Sequence, residues 1–199
     1  EQGIKFLTTR KKAILAHQMG GGKTITSIVA ALEDNYDKIL VISPASVKHT
    51  WYRELKRFMT EDDITIVEGS TWKEARFTII NYDILDNFYE IPTEIVKRKV
   101  RNVDDNGKIT YKTVEKEVVS KKNAIINEAM ANSQLCQSKF DLIIIDEAHK
   151  LSNANSGRYK IITDLIQRSN PKGIYELTGT MITNNPMNWP PVLYVSNGI

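Results

Sequence analysis

A glycine-rich run near the start of the chain has the residue types and spacing of a phosphate-binding loop. The run reads Ala16-His17-Gln18-Met19-Gly20-Gly21-Gly22-Lys23-Thr24. Glycines allow positive φ angles, so successive backbone N–H groups can point at one anion. Lys23 adds a cation for the β- and γ-phosphates, and the hydroxyl of Thr24 can ligate Mg²⁺. We therefore predict that a nucleotide is bound by Gly20, Gly21, Gly22, Lys23 and Thr24.

The residues on either side of this loop predict a strand before it and a helix after it. Residues 12–16 are a short, mostly apolar run, and Ile25, Ile28, Val29 and Leu32 recur at helical spacing. A helix that starts at the glycines would direct its N-terminal N–H groups at the phosphates. The strict pattern has a glycine where this chain has His17. By itself, the run is therefore also compatible with a glycine-rich turn that caps an ordinary helix.

A second motif whose residue types could take part in chemistry lies far along the chain. Residues 140–145 form an apolar run typical of a parallel strand buried on both faces, and Asp146-Glu147-Ala148-His149 follows it. Open α/β sheets bind ligands at the carboxyl ends of such strands. Asp146 can hold Mg²⁺, usually through water, and Glu147 can polarise the water that attacks a γ-phosphate. A surface acidic pair would not explain the phosphate loop. We therefore predict that Lys23, Asp146 and Glu147 are catalytic, with ATP and Mg²⁺ as cofactors.

The composition excludes several classes of protein. The 199 residues suffice for about one domain with a sizeable core. The single cysteine, Cys136, excludes an internal disulfide and suits a reducing compartment. No apolar stretch approaches the roughly 20 residues of a membrane span, and the first residues do not resemble a signal peptide. We expect an intracellular protein without a membrane partner and, because the chain lacks an initiator Met, a fragment.

Strand and helix patterns alternate along the chain, which predicts an α/β fold with a mostly parallel sheet and helices on both faces. Further strands are predicted at residues 38–42, 64–67, 77–81 and 174–177. A helix is predicted at residues 157–168, with its apolar residues facing inward. The whole chain, residues 1–199, would form one such domain.

An insertion at about residues 92–135 interrupts this alternation. Asp105-Asn106-Gly107-Lys108 is a hairpin signal between two alternating segments. Residues 92–123 hold nine lysines and arginines against five acidic residues, whereas the whole chain has a net charge of +3. A basic hairpin could track a nucleic-acid backbone, or its lysines could protect the strand edges of a solvated hairpin. The candidate nucleic-acid contacts are Lys97, Arg98, Lys99 and Arg101.

The two motifs resemble motifs I and II of superfamily 2 helicases, the second as a DEAH box. The closest likeness is to Swi/Snf-type DNA translocases, whose motif I usually reads A-D-E-M-G-L-G-K-T. Residues 41–47 with Trp51 are similar to motif Ia, residues 81–83 lie where motif Ib would be, and residues 177–186 are similar to motif III. Gln2 lies about where the adenine-reading glutamine of that family falls. The resemblance covers nearly the whole chain outside the insertion.

This chain departs from the usual family pattern at several positions. His17 and Gln18 replace an acidic pair, and Gly21 replaces a leucine. Met181 and Thr183 replace the usual proline and glutamine of motif III. The sequence A-H-Q-M-G-x-G-K-T looks more like translocases of phages and large DNA viruses than like chromatin remodellers.

The resemblance implies a RecA-like P-loop NTPase lobe that hydrolyses ATP to move on nucleic acid. It favours double-stranded DNA as that nucleic acid. It implies that His149, Thr178, Gly179 and Thr180 couple the ATP site to nucleic acid. The implied nucleic-acid contacts are Pro44, Ser46, Lys48 and Tyr82. The family's second RecA-like lobe, which carries arginine fingers, is absent from this sequence, so we expect a weak ATPase at best.

Three other functions stay open. The parent protein could be an RNA helicase, or the chain could be a P-loop switch or phosphotransferase unrelated to nucleic acid. It could also be an inert binding lobe, although Lys23 and Glu147 are both intact. Simple switches lack a motif III, so the run at residues 177–186 favours the motor.

Overall fold

Helices alternate with strands along the part of the chain that the structure describes. The computed structural model describes residues 1–18, 20–69, 73–90, 93–103, 109–120, 125–126 and 134–179. The strands are β1 (Lys12–Ala16), β2 (Ile39–Ser43), β3 (Ile64–Ile66), β4 (Phe77–Asn81), β5 (Tyr89–Glu90), β6 (Thr93–Val103), β7 (Ile109–Val119), β8 (Ile125–Ile126), β9 (Leu142–Asp146) and β10 (Gly173–Thr178). The α-helices are α1 (Gln2–Arg10), α2 (Lys23–Glu33), α3 (Lys48–Leu55), α4 (Tyr82–Leu85), α5 (Gln134–Gln137) and α6 (Gly157–Ser169).

Six of the described strands form one sheet in the order β1-β10-β9-β2-β4-β3. Every neighbouring pair in this sheet is parallel. This topology confirms the predicted α/β fold class and the strands predicted from apolar patterns. Because the strands run in one direction, the segments after β1, β10 and β9 leave from the same edge. Those three strands are adjacent, so the phosphate loop and the acidic pair are brought to neighbouring strand ends.

Strand β9 is buried on both faces, as its apolar sequence predicts. Leu142 and Ile144 join the apolar cluster that includes residues of α1, α2 and α3. Ile143 and Ile145 join the opposite cluster, which includes residues of α4 and α6. Alternate side chains of a strand point to opposite faces, so a continuous apolar run suits a strand between two helical layers.

Helix α6 has a capped start and an apolar stripe. The hydroxyl oxygen of Ser156 accepts a hydrogen bond from the backbone N–H of Tyr159, 3.2 Å away, which satisfies one of the free N–H groups of the first turn. Its predicted inward residues are buried: Ile161, Ile162, Leu165 and Ile166. None of the helices that the structure describes is long and apolar enough to span a membrane.

The insertion contains the predicted basic hairpin. Strands β6 and β7 pair antiparallel over their whole length, from Thr93 opposite Val119 to Val103 opposite Ile109. Almost every residue of β6 is exposed, and so are several large apolar residues of the two strands. Both faces of this ribbon are therefore accessible. The predicted turn at residues 105–108 lies outside the described residues.

Candidate nucleotide site

The phosphate loop connects the end of β1 at Ala16 to the start of α2 at Lys23. Gly20 and Gly22 have φ angles of 77° and 71°, in the left-handed region that other residues disfavour. At both positions a Cβ would meet no described atom within 4 Å. The backbone conformation, and not crowding, therefore requires glycine there. These angles agree with the prediction of positive φ, although Met19 lies outside the described residues.

At Gly21, close packing within the loop disfavours a side chain. Its N–H donates to the carbonyl oxygen of Gln18 at 3.0 Å. A Cβ on Gly21 would lie 3.0 Å from that same oxygen and 3.1 Å from the Cβ of His17. The family that the sequence resembles usually has a leucine at this position, and a leucine here would require this part of the loop to shift.

The ammonium group of Lys23 folds back over the loop. Its Nζ donates hydrogen bonds to the carbonyl oxygens of His17 and Gln18, at 3.0 and 3.2 Å. Lys23 is the first residue of α2, and the half-buried Thr24 follows it in the same turn. Two loop carbonyls thus hold the cation against the phosphate loop.

Asp146, at the carboxyl end of β9, is held by a hydrogen bond to each carboxylate oxygen. The indole Nε1 of Trp51 donates to Oδ2 at 2.9 Å, and the backbone N–H of Glu147 donates to Oδ1 at 3.0 Å. Burial raises the pKa of Asp146 above its usual value, whereas the Trp51 hydrogen bond and the positive charge of Lys23 oppose that rise. Strand β10 pairs with both β1 and β9, so the phosphate loop and the acidic strand end leave from strands with only β10 between them.

The residue after Asp146 has an uncommon backbone conformation. Glu147 has φ 54° and ψ 50°, which residues other than glycine rarely adopt. Its Oε2 lies 3.1 Å from Nδ1 of His149, without hydrogen-bond alignment. Such backbone strain often occurs at functional sites. The turn places the imidazole of His149 beside the predicted catalytic carboxylate, and its coupling role stays a prediction.

Strand β10 leads into the predicted coupling residues and lies between β1, which precedes the phosphate loop, and β9, which ends at Asp146. Thr178 pairs with Ala16 of β1, and Leu177 pairs with Asp146 of β9. Thr178 is buried and Gly179 is half-buried. Thr180 lies outside the described residues. The sheet register therefore brings Thr178 and Gly179 next to both the phosphate loop and the acidic pair.

Gln2, the predicted adenine contact, is exposed at the start of α1. The next residue, Gly3, packs so closely on α2 that a Cβ there would lie 2.9 Å from Cγ2 of Thr26. The same Cβ would lie 3.7 Å from Cε1 of His17. The start of α1 is thus next to the phosphate loop and the first turns of α2, and Gln2 stays a predicted contact.

The residues predicted to touch nucleic acid after β2 differ in their surroundings. Pro44 is half-buried and Ser46 is exposed, in or next to the short 3₁₀ helix Ala45–Val47. Lys48, the first residue of α3, has its Nζ 3.6 Å from Oε1 of Glu68. Ser46 is accessible to a ligand, whereas Lys48 would have to share its charge with Glu68.

Tyr82 does not lie where the prediction of a nucleic-acid contact requires. It is 2% exposed, and its hydroxyl donates to the backbone carbonyl of Asp146 at 2.6 Å. The guanidinium of Arg158 lies over its ring, 4.9 Å from the centroid. Burial raises the pKa of Tyr82 well above its usual value. The structure therefore corrects this prediction, because Tyr82 supports the end of β9 from inside the protein.

Sequence reasoning missed both side-chain donors to Asp146. Trp51 precedes Asp146 by 95 residues and Tyr82 precedes it by 64. The apolar spacing of α3 predicted burial of Trp51 but carried no signal about the partner of its indole N–H. Only the sheet order, with β2 between β9 and β4, brings these side chains to the end of β9.

The four predicted hairpin cations do not share one face. Side chains alternate along a strand, so Lys97, Lys99 and Arg101 lie on one face of β6 and Arg98 lies on the other. The register places Lys112 opposite Val100 and Lys116 opposite Val96, on the face of Arg98. We call the face with Arg98, Lys112 and Lys116 the Arg98 face, and the face with Lys97, Lys99 and Arg101 the Lys97 face. The period of two could have predicted the split within β6, but the partners on β7 required the register.

The fold and the site define the class of protein. The chain shares its α/β fold with a SWI2/SNF2 ATPase core from Sulfolobus solfataricus, solved in complex with dsDNA, at a TM-score of 0.66 and 20% identity over 99% of this chain and 34% of that one. It also shares the fold with the Hef helicase domain of Pyrococcus furiosus, at a TM-score of 0.61 and 14% identity over 98% of this chain and 35% of that one. This is the fold of helicase-type ATPase cores.

The family follows from a sequence comparison. The family model of the SNF2-related domain matches residues 1–193, and the chain belongs to that family. It is 30% identical to the CHD3-type chromatin-remodeling factor PICKLE of Arabidopsis thaliana, over 92% of this chain and 13% of that protein. It is 27% identical to the ISWI chromatin-remodeling complex ATPase ISW1 of Saccharomyces cerevisiae, over 92% of this chain and 14% of that protein. The chain thus spans a small part of these relatives.

Proposed function

We propose that this chain is the ATP-binding lobe of a motor that hydrolyses ATP to move on double-stranded DNA. One observation carries the proposal: β10 pairs with both β1 and β9, so that Ala16, before the phosphate loop, lies opposite Thr178, and Asp146 lies opposite Leu177. A cation and a carboxylate held together at the carboxyl edge of a parallel sheet suit a nucleotide whose phosphates carry Mg²⁺.

The residues of the site would divide the work of binding and hydrolysis. The loop N–H groups and the Lys23 ammonium would bind the phosphates, while oxygen atoms of Thr24 and Asp146 would hold Mg²⁺, partly through water. Bound there, Mg²⁺ would neutralise charge that develops on the phosphate oxygens. Glu147 would orient the attacking water, and Gln2 would contact the adenine.

Motion on DNA would require coupling from this site to a nucleic-acid surface. His149 beside Glu147 and Thr178 beside the loop strand support a coupling role for residues 149 and 178–180. We propose Pro44, Ser46, Lys48 and the basic hairpin as nucleic-acid contacts. Membership of the SNF2-related family and the fold shared with an ATPase core solved with dsDNA favour double-stranded DNA over RNA.

Several finer assignments belong to the same proposal. Residues 1–199 would form one N-terminal lobe, and residues 146–149 would act as a DEAH box. A second RecA-like lobe of the parent protein would supply arginine fingers, so this lobe alone would hydrolyse ATP slowly. The likeness of the loop sequence to phage and large-virus translocases, and an intracellular location, stay predictions.

Nucleotide binding by this chain tests the proposal directly. Calorimetry with Mg-ADP should detect binding to the unaltered chain and none to Lys23→Ala, because the variant lacks the cation on the phosphates. Lys12→Ala is the matched control, since Lys12 is exposed at the start of β1, at the end of that strand away from the phosphate loop. Equal affinities for the unaltered chain and Lys23→Ala would refute the assignment of the site.

DNA dependence separates the motor from the other functions. In the longer parent protein, double-stranded DNA should raise ATP turnover more than single-stranded DNA or RNA does. A P-loop switch would not respond to any of them, and an RNA helicase would respond to RNA.

A further inference from the structure

The side chain of Trp51 makes a specific contact with the proposed Mg²⁺-binding carboxylate. Trp51 is 1% exposed in α3, and its indole N–H is the one polar group of that side chain. This N–H points at Oδ2 of Asp146, at 2.9 Å. The contact joins the helix after β2 to the end of β9. A fully buried indole N–H needs an acceptor, and here the acceptor is a carboxylate at the centre of the candidate site.

The geometry fixes the orientation of the carboxylate without neutralising it. Trp51 holds Oδ2, while the backbone N–H of Glu147 holds Oδ1 at 3.0 Å. Two neutral donors on opposite oxygens prevent rotation of the carboxylate and leave its negative charge in place. Each carboxylate oxygen has two lone pairs, so each keeps one for Mg²⁺ or its water.

We propose that Trp51 is a positioning residue that orients Asp146 for Mg²⁺-dependent nucleotide binding. This inference rests on the proposed function. Hydrogen-bonding partners of metal-binding carboxylates commonly change metal affinity about 10- to 100-fold when they are removed. Loss of the Trp51 N–H should therefore weaken the contribution of Mg²⁺ to nucleotide binding, and not the binding that the phosphate loop provides without metal.

Tyr82 provides a matched control for this position. Its hydroxyl donates to the backbone carbonyl of Asp146 at 2.6 Å, and not to the carboxylate. Trp51→Phe and Tyr82→Phe each remove one buried donor to Asp146 and each retain an aromatic ring. Only Trp51→Phe frees the carboxylate.

The experiment measures how much Mg²⁺ strengthens nucleotide binding. The non-hydrolysable ATP analogue AMP-PNP is titrated into each variant by calorimetry, once with Mg²⁺ and once with EDTA. Trp51→Phe should bind AMP-PNP in EDTA as the unaltered chain does, and should lose about tenfold or more of the gain from Mg²⁺. Tyr82→Phe should keep that gain. A full Mg²⁺ gain in Trp51→Phe, or an equal loss in both variants, would overturn the inference.

A second replacement separates the N–H from the packing of the rings. With Trp72 and Trp189 changed to Phe, Trp51 is the one tryptophan of the sequence and can be replaced by benzothienylalanine, which has a sulfur in place of the N–H. The same loss of the Mg²⁺ gain is expected from this isosteric side chain. A retained gain would assign the effect of Trp51→Phe to packing and overturn the inference. If the unaltered chain bound no AMP-PNP with or without Mg²⁺, the proposed function itself would fail.

Discussion

The two faces of the basic hairpin should contribute unequally to DNA binding. On the Arg98 face, Lys112 and Lys116 lie diagonally on either side of Arg98, and the described part of this face has one acidic residue, Glu94. On the Lys97 face, Glu115 and Glu117 accompany the cations, and Nζ of Lys97 lies 3.2 Å from Oε1 of Glu115. A phosphate would compete with that carboxylate on the Lys97 face only. We therefore expect the Arg98 face to bind the phosphates.

The test compares two triple variants with the same change of charge. Changing Arg98, Lys112 and Lys116 to Ala removes up to three phosphate contacts, so the slope of log K against log salt should flatten by up to about 2.7, at about 0.9 per contact. Changing Lys97, Lys99 and Arg101 to Ala is the matched control and should flatten the slope less. Fluorescence anisotropy with a labelled DNA duplex, over a range of salt concentrations, measures both slopes.

The outcome distinguishes the roles that the sequence left open. These side chains lie on an exposed ribbon, so both variants should fold and bind Mg-ADP like the unaltered chain. Equal slopes for the two variants would refute the assignment to the Arg98 face. An unchanged slope in both, with increased aggregation, would show that the lysines protect strand edges and that the hairpin does not bind DNA.

Three further predictions concern the site and its sheet. In the parent protein, Glu147→Gln should bind ATP normally, but its rate of hydrolysis should fall by about 10²-fold or more, because the amide cannot act as a base; unchanged turnover would exclude Glu147 as the catalytic carboxylate. Gly22→Ala should lower the melting temperature and weaken Mg-ADP binding, because φ 71° costs a residue with a Cβ about 1–2 kcal/mol. Glu176 is fully buried and neither carboxylate oxygen has a hydrogen-bond partner among the described residues, so burial raises its pKa well above the usual value. The folded state then holds a proton that the unfolded chain releases above a pKa of about 4.3, so stability is lost as pH rises toward the folded pKa. Relative to Glu176→Gln, the folding equilibrium constant of the unaltered chain should fall up to about tenfold for each unit by which the pH rises. Urea unfolding from about pH 5 to pH 8 measures both stabilities, and the same pH dependence in both proteins would contradict this.

Local patterns were sufficient to predict most of the elements that position the site. The strand before the phosphate loop, the buried strand before Asp146 and the apolar stripe of α6 all follow from spacing within a few residues. Positive φ at Gly20 and Gly22 follows from the glycine run itself. These features depend on neighbours along the chain, so the sequence contains them directly.

Other features depend on which strands become neighbours. The burial of Tyr82, the pairing of Trp51 with Asp146 and the isolated carboxyl of Glu176 arise because β2, β9 and β10 are adjacent in the sheet although they are distant in sequence. The same holds for Lys112 and Lys116, whose place beside Arg98 is set by the register of β6 and β7. The sequence by itself determined the class of fold and the residues of the phosphate loop and acidic pair, because backbone propensity and apolar periodicity are local. Only the tertiary structure decided which side chains support Asp146 and which face of the hairpin is basic, because contacts between distant segments follow from sheet order and register.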